Sequence, residues 1–127
     1  MVGTDIIEVD RIERLIKEKG DRFLNRIYTQ NEIDYCESKG SNKYQHYAGR
    51  FAAKEAVFKA VADRGTEVSD VAPLKFKNIQ IKNDKKGLPY VYIVPDPLGI
   101  GASISVSISH IKKYAVAVAF MGGLADY

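Results

Sequence analysis

Two carboxylates sit where their neighbours are apolar. Asp5 shares one face of a period-two segment with Ile7 and Val9. With Phe51 as origin and a step of about 100° per residue, Glu55 falls at about 40° on a helix, inside a stripe formed by Tyr44, Tyr47, Ala48, Phe51, Phe58 and Ala62. A buried carboxylate without a partner is costly, or it takes up a proton. Two such residues fit a shared hard divalent cation, because Mg²⁺ is held by one or two carboxylates while keeping waters and substrate phosphates. The competing explanation is structural ion pairing, for example Glu55 with Lys54 or Arg50. Lys59 lies one helical turn after Glu55. It can reach a phosphate that the same metal touches, or it can simply pair with Glu55 at i,i+4.

His110 ends an alternating run and opens a turn. Its imidazole can donate to a phosphate, with the Ser109 hydroxyl beside it, or be merely solvated. The row Ser103, Ser105, Ser107, Ser109 reads as the polar face of a sheet, or as a face packed closely on another subunit. No Ser-His-Asp arrangement is readable by spacing, and there is no P-loop, GxGxxG or zinc spacing. Basic residues are segregated. Arg11, Arg14, Arg22 and Arg26 share one side of the first helical pattern, where guanidinium forks match carboxylates and phosphates. Residues 39–64 carry Lys39, Lys43, Arg50, Lys54, Lys59 and Arg64 against Glu55 and Asp63, and residues 75–87 carry five lysines against Asp84.

These residues need elements to position them. Residues 2–7 read as a strand leading into a helix near Val9, with Ile12, Leu15, Ile16, Phe23 and Ile27 at helical spacing and Gly20 a break within it. Thr29-Gln30-Asn31-Glu32 is a capping-box sequence opening a helix to about Ser38. A long helix spans roughly residues 42–63. The second half alternates: Leu74 to Lys82 with a phase slip, Tyr90 to Val94, Ser103 to Ser109, and Tyr114 to Phe120. Asn83 to Gly87 and His110 to Lys113 read as turns, and Pro95 to Gly101 as a loop. Helices first and antiparallel strands second imply an α+β fold.

The chain has 127 residues, consistent with a single domain over 1–127. It is 46% hydrophobic and 28% charged, a globular balance that disfavours collagenous and disordered classes. The single cysteine, Cys36, excludes an internal disulfide and is expected to be buried and inert. The apolar runs are far short of a membrane span, and Met1 to Asp5 does not resemble a secretory leader, so a cytoplasmic location is expected. A net charge of +3 points to an acidic or phosphorylated partner.

Four motifs taken in order carry a resemblance. They are Gly3-Thr4-Asp5-Ile6-Ile7-Glu8; Gly49-Arg50-Phe51-Ala52-Ala53-Lys54-Glu55-Ala56 with Lys59; Gly87-Leu88-Pro89-Tyr90; and Ser107-Ile108-Ser109-His110 with Tyr114-Ala115. Together they resemble holo-[acyl-carrier-protein] synthase, the short branch of the 4′-phosphopantetheinyl transferases, over essentially the whole chain. Two departures stand out: fewer residues precede Gly3 than is usual, and alignment across Lys17 to Arg22 needs a gap. The resemblance implies a three-helix layer on a curved antiparallel sheet and a homotrimer with active sites at subunit interfaces. It implies Mg²⁺-dependent transfer of 4′-phosphopantetheine from coenzyme A to a serine of apo acyl carrier protein, releasing adenosine 3′,5′-bisphosphate, in support of fatty acid biosynthesis. By the same resemblance Asp5 and Glu55 are the metal ligands, and Glu55 and Lys59 the catalytic residues. Lys59, Gly87, Pro89, Ser109 and His110 bind coenzyme A, and Arg11, Arg14 and Arg22 grip the carrier protein. Neither nucleic acid nor membrane is an expected partner. The base that deprotonates the serine is Glu55 or a water on the metal, and the sequence does not choose between them. Two alternative functions remain at this point: a non-catalytic coenzyme A-binding protein and a small basic nucleic-acid-binding domain. The latter shows no helix-turn-helix, zinc-finger or RNP motif.

Overall fold

The structure is a computed structural model that describes residues 1–62, 75–96 and 99–122. Strand β1 (Val2–Glu8) runs into helix α1 (Val9–Lys19), followed by α2 (Asp21–Ile27), α3 (Gln30–Glu37) and the long α4 (Lys43–Ala62). Four strands follow: β2 (Ile79–Asn83), β3 (Pro89–Ile93), β4 (Ile104–His110) and β5 (Tyr114–Met121). The fold is α+β, as the order of patterns predicts. The expected three-helix layer has four segments, because Gly20 adopts φ 55 and divides the first helix. The expected single curved sheet is two antiparallel sheets, β1-β5-β4 and the hairpin β2-β3. Asp63, Arg64, Leu74 and residues 97–98 of the loop from Pro95 to Gly101 lie outside the described residues.

Local chemistry explains the boundaries. The Thr29 hydroxyl accepts from the Glu32 amide, and the Glu32 carboxylate accepts from the Thr29 amide, a reciprocal cap that starts α3. Strand β5 alternates without a fault. Ala115, Ala117, Ala119 and Met121 are buried against α4, while Tyr114, Val116, Val118 and Phe120 face outward. Strand β4 sets Ile104, Val106, Ile108 and His110 inward and Ser105, Ser107 and Ser109 outward.

Helix α4 corrects the sequence expectation. Its buried residues are not the Tyr44–Phe51–Phe58 stripe but Ala48, Gly49, Ala52, Ala53, Ala56, Val57, Ala60 and Val61, with Tyr47, Arg50 and Lys54 among them. The helix packs on β1, β4 and β5 on one side and on α1, α3 and β2 on the others. Small side chains permit that approach: a Cβ on Gly3 would lie 2.0 Å from the Ala56 carbonyl oxygen. Phe51 and Phe58 are only partly buried and form the wall of a groove.

Beneath that groove lies a buried ion pair. The Lys54 ammonium donates to Glu32 Oε1 at 2.6 Å, to the Ile27 carbonyl at 2.8 Å and to the Phe76 carbonyl at 2.9 Å. Glu32 Oε2 accepts from the Ile81 amide at 2.9 Å. The pair thus ties the end of α2, the start of α3, α4 and β2 to one point. Every donor of the ammonium is used, which a buried charge requires.

Candidate active site

Asp5 lies on the helix-facing side of β1, between Gly3 and Ile7. There it meets α4. Lys59 Nζ donates to Asp5 Oδ1 at 3.2 Å and to the Thr4 carbonyl at 3.1 Å. The simple i,i+4 pairing of Lys59 with Glu55 is therefore not what forms. Lys54 pairs with Glu32, and Arg50 donates to Asn83, so neither takes Glu55 as a partner. Among the described residues Glu55 has no ion pair. Burial raises its carboxyl above the usual range and the nearby Asp5 charge raises it further, against opposing pulls from Lys59 and Arg11.

Glu55 lines an open groove of about 800 Å³ whose apolar wall is Leu15, Phe23, Phe51, Phe58 and Phe76. Lys19, Arg26 and Lys75 add positive charge to it. A smaller cavity of about 400 Å³ is lined by Thr4, Asp5, Ile6, Lys59 and Val116. Arg11, Arg14 and Arg22 are exposed on α1 and α2. Arg26, noted in the arginine stripe but not expected at a site, lines the groove itself.

A second cluster forms near the other end of α4. His110, at the end of β4, places Nδ1 3.0 Å from Gln45 Oε1. Arg50 lies over the Tyr35 ring at 4.1 Å and donates to Asn83, whose amide donates to the Gly87 carbonyl at 2.9 Å. Gly87 (φ 85) makes the hairpin turn, and Pro89 pairs with Asn83 across the β2-β3 ladder. Gly87, Pro89 and His110 are thus gathered around Arg50, which is 5% exposed and keeps an unpartnered Nε. Sequence reading singled out neither Arg50 nor Gln45 as a site residue, because polar side chains on a helix ordinarily read as solvated. Ser109 is a departure: it points to the outer face of the sheet, opposite His110, as strand alternation requires.

Among the described residues no hydrogen bond or ion pair joins the two clusters. Gln45 and Glu55 are separated along α4 by about 15 Å at 1.5 Å per residue. Lys59 belongs with the carboxylates and not with His110, Gly87 and Pro89.

This arrangement can be set beside known proteins. Residues 1–119 match the family model of the 4′-phosphopantetheinyl transferase superfamily. A holo-[acyl-carrier-protein] synthase of Ruminiclostridium cellulolyticum is 50% identical over 125 residues, covering 94% of this chain and 89% of that protein. One from Halothermothrix orenii is 43% identical over 122 residues, 91% of each chain. The Helicobacter pylori holo-[acyl-carrier-protein] synthase in complex with coenzyme A superposes with a TM-score of 0.79 at 32% identity, covering 96% of this chain and all of that one. The chain belongs to the 4′-phosphopantetheinyl transferase superfamily, in its holo-[acyl-carrier-protein] synthase branch. It is accordingly an enzyme, a phosphopantetheinyl transferase, and the two non-catalytic alternatives are set aside.

Proposed function

We propose that this enzyme moves 4′-phosphopantetheine from coenzyme A to a serine of apo acyl carrier protein, with Mg²⁺, and releases adenosine 3′,5′-bisphosphate. The observation that carries the reading is the meeting of Asp5, Glu55 and Lys59 between β1 and α4, beside a basic-rimmed groove, in a chain of this family.

The donor set fits a magnesium ion. Among the described residues no group of three or more His, Cys, Asp or Glu side chains could hold a metal, so this is not an all-protein cage. Two hard carboxylate oxygens leave room for waters and a substrate diphosphate, the usual mode for Mg²⁺. Asp5 and Glu55 would hold the ion. When bound, it supplies positive charge to the diphosphate oxygens of coenzyme A. Lys59 is already cationic at the same place and stabilises negative charge that develops as the phosphoester linkage breaks. Glu55, at the groove, would take the proton from the attacking serine hydroxyl, or leave it to a water on the ion. Arg11, Arg14 and Arg22, together with Arg26, face the anionic carrier protein and speed its encounter.

His110, Gly87, Pro89 and Arg50 form the second half of the coenzyme A site. We infer that neighbouring subunits join the halves, since within one chain they stand apart along α4. The outer face of the β1-β5-β4 sheet suits a homotrimer. Val2, Ile6, Val116, Val118 and Phe120 are all exposed there, alongside the small Ser105, Ser107 and Ser109. A contiguous apolar patch of this kind marks a protein interface. Such a reaction would supply the modified carrier that fatty acid synthesis uses. Incubation of apo acyl carrier protein with the enzyme, coenzyme A and Mg²⁺, followed by mass spectrometry, tests the reading. The carrier should gain one phosphopantetheine; an unmodified carrier would refute the assignment.

A further inference from the structure

Gln45, in the first turn of α4, brings Oε1 to 3.0 Å from His110 Nδ1. An amide oxygen only accepts, so this contact keeps the imidazole proton on Nδ1 and leaves Nε2 as the free nitrogen. The ring is held on its other sides as well. His46 packs against it edge-on with centroids 4.7 Å apart, and Tyr35 packs behind His46 at 5.6 Å. The helix comes this close because Gly49 has no side chain: a Cβ there would lie 3.0 Å from Ile108 Cγ2 and 3.8 Å from His110 Cδ2.

The charges around the ring oppose a second proton. From α4 it faces Arg50, a cation, and the titratable His46; across the ladder β5 offers only Ala115. No carboxylate pairs with His110 among the described residues. Burial, then Arg50, lowers the basicity of His110. The free ring is therefore neutral near pH 7, and a neutral Nε2 cannot donate to a phosphate.

We propose that Gln45 is a positioning residue for phosphate binding at His110: by holding Nδ1–H it presents Nε2 to a phosphate ester of coenzyme A, and the ring takes up one proton from solvent as that phosphate arrives. The proposal rests on the reading of His110 as a coenzyme A contact. The step forms an N–H bond at Nε2 with a proton from the buffer, breaks no bond in coenzyme A, and leaves an imidazolium hydrogen-bonded to a phosphate oxygen. Binding of the donor substrate is thereby coupled to pH.

Isothermal titration of coenzyme A into the intact enzyme with Mg²⁺, in two buffers of different ionisation heat at one pH, counts the protons exchanged. Wild type should take up as much as about one proton more than His110→Asn. In Gln45→Glu a carboxylate replaces the amide and the free ring is already cationic, so the uptake should vanish while binding stays tight. In Gln45→Met the acceptor is lost at similar size: KM for coenzyme A should rise about tenfold while kcat changes far less, and Gln45→Glu should restore KM. Wild-type affinity in His110→Asn would sink the reading of His110 and the proposal with it. Weak binding in His110→Asn with wild-type proton counts and KM in both Gln45 variants would overturn the proposal alone.

Discussion

Asp5 lies near enough for its charge to raise the Glu55 carboxyl, and the Lys59 ammonium rests on Asp5. The pair was legible in the sequence because a carboxylate on an apolar face breaks its own pattern. His46, Gln45 and Arg50 were not, since a polar side chain on a helix matches the common solvated case until the facing strand is known. His46 makes this testable. Burial, together with the neighbouring His110, Lys39 and Arg50, lowers its imidazole from 6.5 to about 4. The unfolded chain then binds a proton between those values that the folded chain refuses. Stability is full above pH 6.5 and falls as the pH drops toward about 4. Thermal unfolding at pH 8 and pH 5 should show a larger acid-side loss in wild type than in His46→Phe; parallel losses would contradict this assignment. At the groove, Arg11→Glu should raise KM for carrier protein severalfold, with less effect on KM for coenzyme A, in steady-state assays varying each substrate. Equal effects would count against docking on α1.

At the scale of elements, the start of α3 and the break at Gly20 were readable from local chemistry alone, and so were the alternating strands. The burial of α4 was not. Its inner surface is Ala and Gly, which carry little hydrophobic signal, while the larger Phe51 and Phe58 drew the stripe toward the groove. Lys54 and Glu32 look like surface residues in sequence and are 0% and 1% exposed in the fold. Removing one charge strands the other, which costs about 3–5 kcal/mol for a buried pair. Lys54→Met should lower the urea unfolding free energy by that order, and adding Glu32→Gln should recover part of it. A loss below about 1 kcal/mol in Lys54→Met, the range of exposed pairs, would show that the pair does not anchor α2, α3 and β2 to α4.

For the whole molecule, the proposed trimer would join what one chain keeps apart. The alternation of β5 was legible, yet it gave both a buried face of alanines and an exposed face of Val116, Val118 and Phe120. The ladder aligns Thr4, Val118 and Ser107 in one row of that outer face, an alignment no single strand carries. Val118→Lys, placed in the centre of that row, should convert a trimer to monomers in light scattering and abolish transfer while leaving the circular dichroism of the chain intact. Full activity in a monomeric variant would refute the shared site. The most direct measurement compares wild type, Asp5→Asn and Glu55→Gln by mass spectrometry of apo carrier protein over a Mg²⁺ titration. Both variants should lose about 100-fold or more in rate, equivalent to roughly 2.7 kcal/mol of transition-state stabilisation, with unfolding curves close to wild type. Wild-type turnover in either folded variant, at any Mg²⁺ concentration, would contradict a magnesium shared between these two carboxylates.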